Sequence, residues 1–132
     1  MKTWHMVILA LALAVPGVGL AQKSNGAVPK YDVATETTFK GVIDDVHDRQ
    51  CPISGGMGSH FNLKLADGKV VEVHLSTTKF VKSYELVFNK GDQVEVIGCK
   101  VQFEGGDAIL AREVKRGNDD FLFRDPQGKP IW

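Results

Sequence analysis

The chain lacks an excess of charge of either sign, and it lacks the motifs that define common hydrolases and nucleotide-binding enzymes. It contains 16 basic and 16 acidic residues, and neither kind forms a run. Proteins that bind nucleic acid depend on clustered lysine and arginine, so this balance argues against that class. The patterns Gly-x-Ser-x-Gly, Gly-x-x-x-x-Gly-Lys-Ser/Thr and His-Glu-x-x-His are all absent. We therefore expect no catalytic residues and a protein that is not an enzyme.

Long apolar runs are also lacking. The longest run, residues 7–15, falls short of the roughly 20 residues that cross a bilayer. The small residues Gly19 and Ala21 follow it, which is typical of a secretory signal peptide. We expect residues 1–21 to be removed, which gives a periplasmic or secreted protein with no stable membrane insertion. An uncleaved N-terminal anchor is the alternative.

The rest of the chain alternates apolar and polar residues in a way that predicts strands. Residues 22–36 have no clear periodicity and are expected to be a flexible lead-in to a single domain at residues 37–132. Five strands are predicted, at residues 38–48, 60–65, 69–75, 93–103 and 108–115. Steps of three and four residues between 77 and 88 predict a short helix. This order predicts an all-β protein, a five-stranded Greek-key OB-fold barrel with a short helix between strands three and four.

Particular residues shape this predicted fold. Gly41 lies inside the first strand, where a glycine often marks a bulge. A three-residue turn that ends at a left-handed Gly68 would keep the apolar faces of strands two and three in phase. Gly91 and Asp92 form the turn before strand four, and Gly98 lies within that strand.

The residues after the fifth strand predict a C-terminal hairpin extension. An apolar segment at 121–124 is followed by Asp, Pro and Gly at positions suited to a tight turn. Trp132 is costly to leave in water, so we expect it to pack against the barrel.

The outer face of strands two and three and the glycine-rich loop at residues 50–59 are the predicted contact surface. The expected register places His60 opposite His74 and Asn62 opposite Glu72, with Lys64 on the same face. No large aromatic ring lies on this face, so it lacks the stacking platform that single-stranded nucleic acid requires. We expect a binding module for an envelope protein or a small ligand, and we do not expect nucleic acid as a partner.

The chain has only two cysteines, Cys51 and Cys99. In an oxidising compartment a single disulfide is their simplest use. The predicted topology opposes it, because Cys51 should approach the start of strand four while Cys99 lies several residues along that strand. Both alternatives remain open at this point.

A metal site is the alternative function. The thiol, thioether and imidazole donors expected near one end of strands two and three are Cys51, Met57, His60, His74 and His47. Exported copper and zinc sites use such donors. Paired histidines on an outer face are more simply solvated residues in cross-strand contact. We therefore expect no cofactor, with a transition metal ion such as copper, zinc or iron as the alternative.

Several short segments resemble a known family. They are Gly91-Asp92-x-Val94-x-Val96-x-Gly98, Ala111-Arg112-Glu113-Val114 and Arg124-Asp125-x-x-Gly128-x-Pro130-x-Trp132. Together they are similar to small exported bacterial OB-type domains, in particular the domain of the MamS and MamX magnetosome proteins. The resemblance implies a periplasmic domain that is sometimes attached to iron or redox biology. The chain lacks the Cys-x-x-Cys-His of haem-bearing members, so haem attachment is not implied.

Overall fold

A computed structural model describes residues 27–132 of the chain. The predicted signal peptide and the first part of the predicted lead-in lie outside these residues. The strands are β1 (Thr37–Cys51), β2 (Gly56–Leu65), β3 (Val70–Thr77), β4 (Gln93–Phe103), β5 (Gly106–Arg116) and β6 (Asp119–Leu122). One helix, α1 (Thr78–Ser83), follows β3, and a 3-10 turn (Val33–Thr35) precedes β1. Within residues 27–132, none of the helical segments has the length and apolar character needed to cross a bilayer.

The six strands form one sheet, so the predicted all-β class is confirmed. Their order is β3-β2-β1-β4-β5-β6, with antiparallel neighbours throughout. Strand β3 also pairs with β5, and this pairing is parallel. The short helix α1 lies between β3 and β4, as predicted.

The hairpin between β2 and β3 has the predicted register. His60 pairs with His74, and Asn62 pairs with Glu72. Gly68 has a φ of 85°, in the left-handed region that glycine enters without steric cost. Because side chains alternate along a strand, this register places the apolar residues of both strands on the same face.

The hydrophobic core lies on that face. Its largest side chains are fully buried: Ile43, Phe61, Leu63, Val73, Val96, Ile109, Val114 and Phe123. Trp132 is partly buried and packs against this core, as predicted. The C-terminal segment turns at Asp125, where the Gly128 amide donates to the Asp125 carbonyl over 2.9 Å, and an isolated bridge joins Arg124 to Pro130.

Two glycines allow close approach between strands. A Cβ atom on Gly41 would meet the Lys64 carbonyl oxygen, and one on Gly98 would meet the Leu110 carbonyl oxygen. The bulge predicted at Gly41 was misplaced: the register of β1 against β2 shifts between Ile43 and Asp45. Gly41 is needed because a side chain there would clash with β2, and not because the backbone is irregular at this residue.

Residues 31–36, in the second half of the predicted lead-in, form defined contacts with the sheet. Asp32 caps the 3-10 turn by accepting a hydrogen bond from the Ala34 amide over 3.0 Å. Glu36 accepts two hydrogen bonds of 2.9 Å from Arg112 and one of 2.6 Å from the Tyr31 hydroxyl. The partner Arg112 lies far along the sequence, so local periodicity had no means of indicating this contact.

Replacing Glu36 by glutamine is expected to lower the free energy of unfolding by about 2 kcal/mol near neutral pH, because it removes a charge-assisted bidentate pair. Hydrogen bonds from Arg112 lower the pKa of Glu36 below its ordinary value of 4.5 despite partial burial. Its stabilising contribution is therefore present above about pH 4.5 and is lost as the pH falls. Urea unfolding of both proteins at several pH values measures this, and the difference between them should shrink in acid.

The matched control is Glu95→Gln. Glu95 forms an exposed pair with Lys40 at 3.6 Å, and such surface pairs contribute little. An equal loss of stability in both variants would contradict the role given to the Glu36 pair.

Candidate metal centre

The β1–β2 connection is a tight turn at residues 52–55, which is shorter than the glycine-rich loop predicted at residues 50–59. Cys51 pairs directly with Gly56. Gly55 has a φ of 71°, and the Ser54 hydroxyl donates to the carbonyl oxygens of Cys51 and Gly56 over 3.1 and 3.2 Å. The glycines that made the segment look irregular supply the turn and let the two strands extend to its tip.

Strand alternation places the chemically interesting residues on one face of this hairpin. On β1, His47, Arg49 and Cys51 are two residues apart and share a face. Their partners on β2 are His60, Gly58 and Gly56. A Cβ on Gly58 would lie 3.0 Å from the His60 ring, so the absence of a side chain there makes room for the imidazole.

Cys51, His60 and His74 converge at this face. One donor atom from each residue lies within 4.8 Å of the other two. The Cys51 Sγ and the His74 Nδ1 are 3.5 Å apart, and the two imidazole ring centroids are 4.6 Å apart in an edge-on arrangement. The Phe103 ring, with its centroid 5.5 Å from that of His74, packs beside them.

All three donors are buried. The exposed fractions of Cys51, His60 and His74 are 3%, 1% and 4%. The expectation that these histidines are solvated was therefore wrong, although their predicted pairing is confirmed. The reason is that a second set of side chains covers the face of the strands opposite the core.

Glu72 lies beside the second ring nitrogen of His74, within ion-pair distance but without hydrogen-bond geometry. Its Oε1 lies 3.1 Å from His74 Nε2. The same carboxylate contacts His47 Nε2 at 2.8 Å and Arg49 Nη2 at 2.6 Å. Burial opposes the charged form of Glu72, but the contacts with His74, Arg49 and His47 outweigh it and hold the pKa of Glu72 far below its usual value. Glu72 is therefore a half-buried anion engaged by its neighbours, although the sequence suggested a surface contact residue.

His60 is neutral at physiological pH. Burial, helped by the neighbouring His74, lowers the pKa of His60 to about 4. Its Nδ1 atom is buried and has no hydrogen-bond partner among the described residues. A neutral imidazole with an unpartnered nitrogen is the form in which histidine binds a metal.

Two of the predicted donors are not part of the cluster. His47 stacks on His60 with ring centroids 5.5 Å apart, but its two nitrogens contact Asp45 and Glu72. Met57 is 45% exposed and, by alternation, lies on the opposite face of β2 from His60.

Of the two alternatives left open for the cysteines, the structure has the free thiols. Cys51 and Cys99 are both free and buried. The Cys99 Sγ accepts a hydrogen bond from the Asp32 amide over 3.5 Å, whereas Cys51 contacts His74. The two thiols therefore have different surroundings, and only Cys51 belongs to the donor cluster.

Arg49 is a residue of this site that the sequence did not single out. Its guanidinium joins Glu72 on β3 to Glu104 in the β4–β5 turn, at 2.6 and 3.2 Å. Arg49 thus links the β1–β2 hairpin, which contains Cys51, to β3 and to the β4–β5 turn. The only sequence signal was its position two residues before Cys51, on the same face of the strand.

The predicted contact surface is smaller than expected, since His60 and His74 are buried. Lys64 remains exposed and Asn62 is half-buried. Lys64 also borders a cavity of about 750 Å³, whose other charged residues are Lys40, Glu95 and Lys115.

The sheet and its cluster define a small all-β protein with a buried donor set of one thiol and two imidazoles. The sequence pattern of the MamS/MamX magnetosome protein family matches residues 35–121, and the chain belongs to this family. The resemblance drawn from the strand motifs is thereby confirmed. The matched segment includes all three donors. A search among curated proteins found no match to the chain.

Proposed function

We propose that the protein is an exported, non-catalytic protein that binds one transition metal ion through Cys51, His60 and His74. The observation that supports this most directly is the convergence of three buried donor atoms within 4.8 Å of one another. Thiolate and imidazole are the donors that proteins use for zinc and copper. The free state of Cys51 leaves its sulfur available as a ligand.

A metal ion would resolve an otherwise costly feature of the cluster. The buried Nδ1 of His60 has no partner among the described residues. Leaving such a polar atom unpaired costs about 1–3 kcal/mol. The purely structural alternative, a hydrogen bond from the Cys51 thiol to His74 Nδ1, satisfies two of the three groups and leaves His60 unpaired. An ion between the three donors would satisfy all of them.

The contacts around His74 also suit a metal ligand. Its Nδ1 lies toward Cys51 while its Nε2 lies 3.1 Å from Glu72. Histidine ligands commonly present their second nitrogen to a carboxylate, which fixes the ring and increases its basicity. Binding would release the thiol proton of Cys51, because only the thiolate coordinates. The bound ion would then be held by one negative ligand and two neutral ones.

The burial of Cys51 supports a non-catalytic role. A cysteine nucleophile paired with a histidine base and oriented by a carboxylate is a known catalytic arrangement, and Cys51, His74 and Glu72 resemble it in connectivity. A nucleophile must reach a substrate, however, and Cys51 is only 3% exposed. Metal coordination makes use of that burial, whereas nucleophilic attack is hindered by it.

The proposal includes export and an OB-type barrel. Export rests on the signal-like residues 1–21, and a periplasmic or secreted protein follows from them. The barrel rests on the pairings, which run from β3 through β2, β1 and β4 to β5 and return from β5 to β3. The position of α1 between β3 and β4 suits the OB order.

A second candidate function is the binding of an envelope protein or a small ligand. The cavity of about 750 Å³ has the size of a small-molecule site. Three lysines and one glutamate border it, which favours an anionic ligand. Its residue Lys64 belongs to the surface expected from the sequence to make contacts.

Metal titration of the mature protein tests the main proposal. We expect one equivalent of copper or zinc to bind, and binding to be lost in Cys51→Ser, His60→Ala and His74→Ala. The matched controls are Cys99→Ser and Met57→Ala, which remove a thiol and a thioether outside the cluster. Circular dichroism checks that each variant is folded. Failure of the folded wild-type protein to bind, or unchanged binding in all three cluster variants, would refute the proposal.

A further inference from the structure

We propose that the ion bound by Cys51, His60 and His74 is copper, held in a closed site by one thiolate and two imidazoles without a fourth protein donor. This inference rests on the proposed metal-binding function and goes beyond it by naming the metal. Its basis is the number of donors, their chemical type and their burial.

The number of donors argues against zinc. Among the described residues, the cluster contains three histidine, cysteine or acidic donors and no fourth. Structural zinc sites are almost always four-coordinate, and catalytic zinc sites complete their shell with an accessible water. The three donors here are 3%, 1% and 4% exposed, so solvent has little access to a fourth position. Copper accepts a trigonal set of two histidines and one cysteine.

The nearest carboxylate is already committed to other partners. Glu72 contacts His47, Arg49 and the Nε2 of His74. It therefore supports a ligand rather than acting as one. Ions that prefer oxygen ligands, such as magnesium and manganese, find none in the cluster. Among divalent ions, affinity for a given nitrogen and sulfur set is greatest for copper, and thiolate also favours the cuprous ion.

The imidazole nitrogens that face the site can be assigned. His74 presents Nδ1 to Cys51, because its Nε2 lies beside Glu72. The unpartnered buried nitrogen of His60 is also Nδ1. We therefore expect both histidines to bind copper through Nδ1.

Met57 does not supply a thioether ligand. Trigonal copper sites often have a weak axial methionine. Met57 is the methionine nearest to Cys51 in the sequence, but it is 45% exposed and lies on the other face of β2. Removal of the Met57 side chain should therefore leave copper binding unchanged.

Competition between metals tests the inference on the folded mature protein. The protein is loaded with copper without oxygen and then dialysed against an approximately tenfold excess of zinc. We expect about one copper per chain to remain. X-ray absorption of the wild-type protein should show one sulfur and two nitrogen ligands at copper. Cupric loading should produce an intense thiolate charge-transfer colour that Met57→Ala retains and Cys51→Ser loses.

The outcomes separate this inference from the proposed function. Zinc that displaces copper while still depending on the three residues would overturn the copper assignment and leave metal binding in place. A copper shell that includes a solvent oxygen or a methionine sulfur would overturn the closed three-donor site. Absence of any bound metal in the folded wild-type protein would overturn both. The absorption measurement uses the unaltered chain, so it decides the matter even if a variant fails to fold.

Discussion

Replacing Gly98 by alanine is expected to lower the free energy of unfolding by about 3 kcal/mol. A Cβ at this position would overlap the Leu110 carbonyl oxygen and lie 3.0 Å from its carbonyl carbon. These atoms belong to the backbone of β5, so no side-chain rotation relieves the contact. The neighbouring strand must move, at a point where the register of β4 against β5 already shifts. Thermal or urea unfolding measures the loss.

Gly106→Ala is the matched control for this prediction. Gly106 lies at the start of β5, in the same β4–β5 ladder, and a Cβ there would meet no atom within 4 Å. It has no positive φ, so alanine should be accepted with a change within about 0.5 kcal/mol. Similar losses in the two variants would show that general strand propensity, rather than the close approach at Gly98, sets the cost.

Replacing Glu72 by glutamine is expected to weaken the proposed metal binding by about 10- to 100-fold. The amide keeps the shape of the side chain but loses the charge that His74, His47 and Arg49 share. His74 would then be oriented less firmly and would be a weaker donor. Competition with a chromophoric chelator measures the affinity of each protein for the ion.

The control for Glu72→Gln is Glu104→Gln. Glu104 contacts Arg49 at 3.2 Å, as Glu72 does, but it touches neither histidine of the cluster. A charge effect that acts only through Arg49 would weaken binding equally in both variants. A loss confined to Glu72→Gln would assign the effect to the support of His74.

The internal face of the sheet was predictable because it follows from alternation. Apolar residues such as Phe61 and Val73 occupy every second position of β2 and β3, and the turn at Gly68 keeps the two strands in phase. Both the register and the inward face therefore follow from the sequence. Alternation states which face a residue occupies, but it does not state what covers that face. For this reason the pairing of His60 with His74 was predicted correctly, whereas their exposure to solvent was not.

The contacts that the sequence did not reveal join distant segments. Glu36 and Arg112 are 76 residues apart, and no periodic pattern relates them. The burial of Cys51 depends on a tight hairpin whose glycines suggested a loop. Of the five predicted metal donors, three converge. Alternation places Met57 on the other face of β2, and the nitrogens of His47 contact Asp45 and Glu72, carboxylates that the sequence did not indicate as its partners.

The core and the donor cluster lie on opposite faces of β2 and β3, which would separate folding from the proposed metal loading. Phe61 and Val73 belong to the core, while their neighbours His60 and His74 belong to the cluster. Small zinc domains unfold without their ion, because the metal provides the stability that a hydrophobic core would otherwise supply. Here none of the three donors belongs to the apolar core, so we expect the chain to fold without an ion and to bind the proposed ion afterwards. Chelation of the metal-loaded protein should then leave a native apoprotein that binds the ion again.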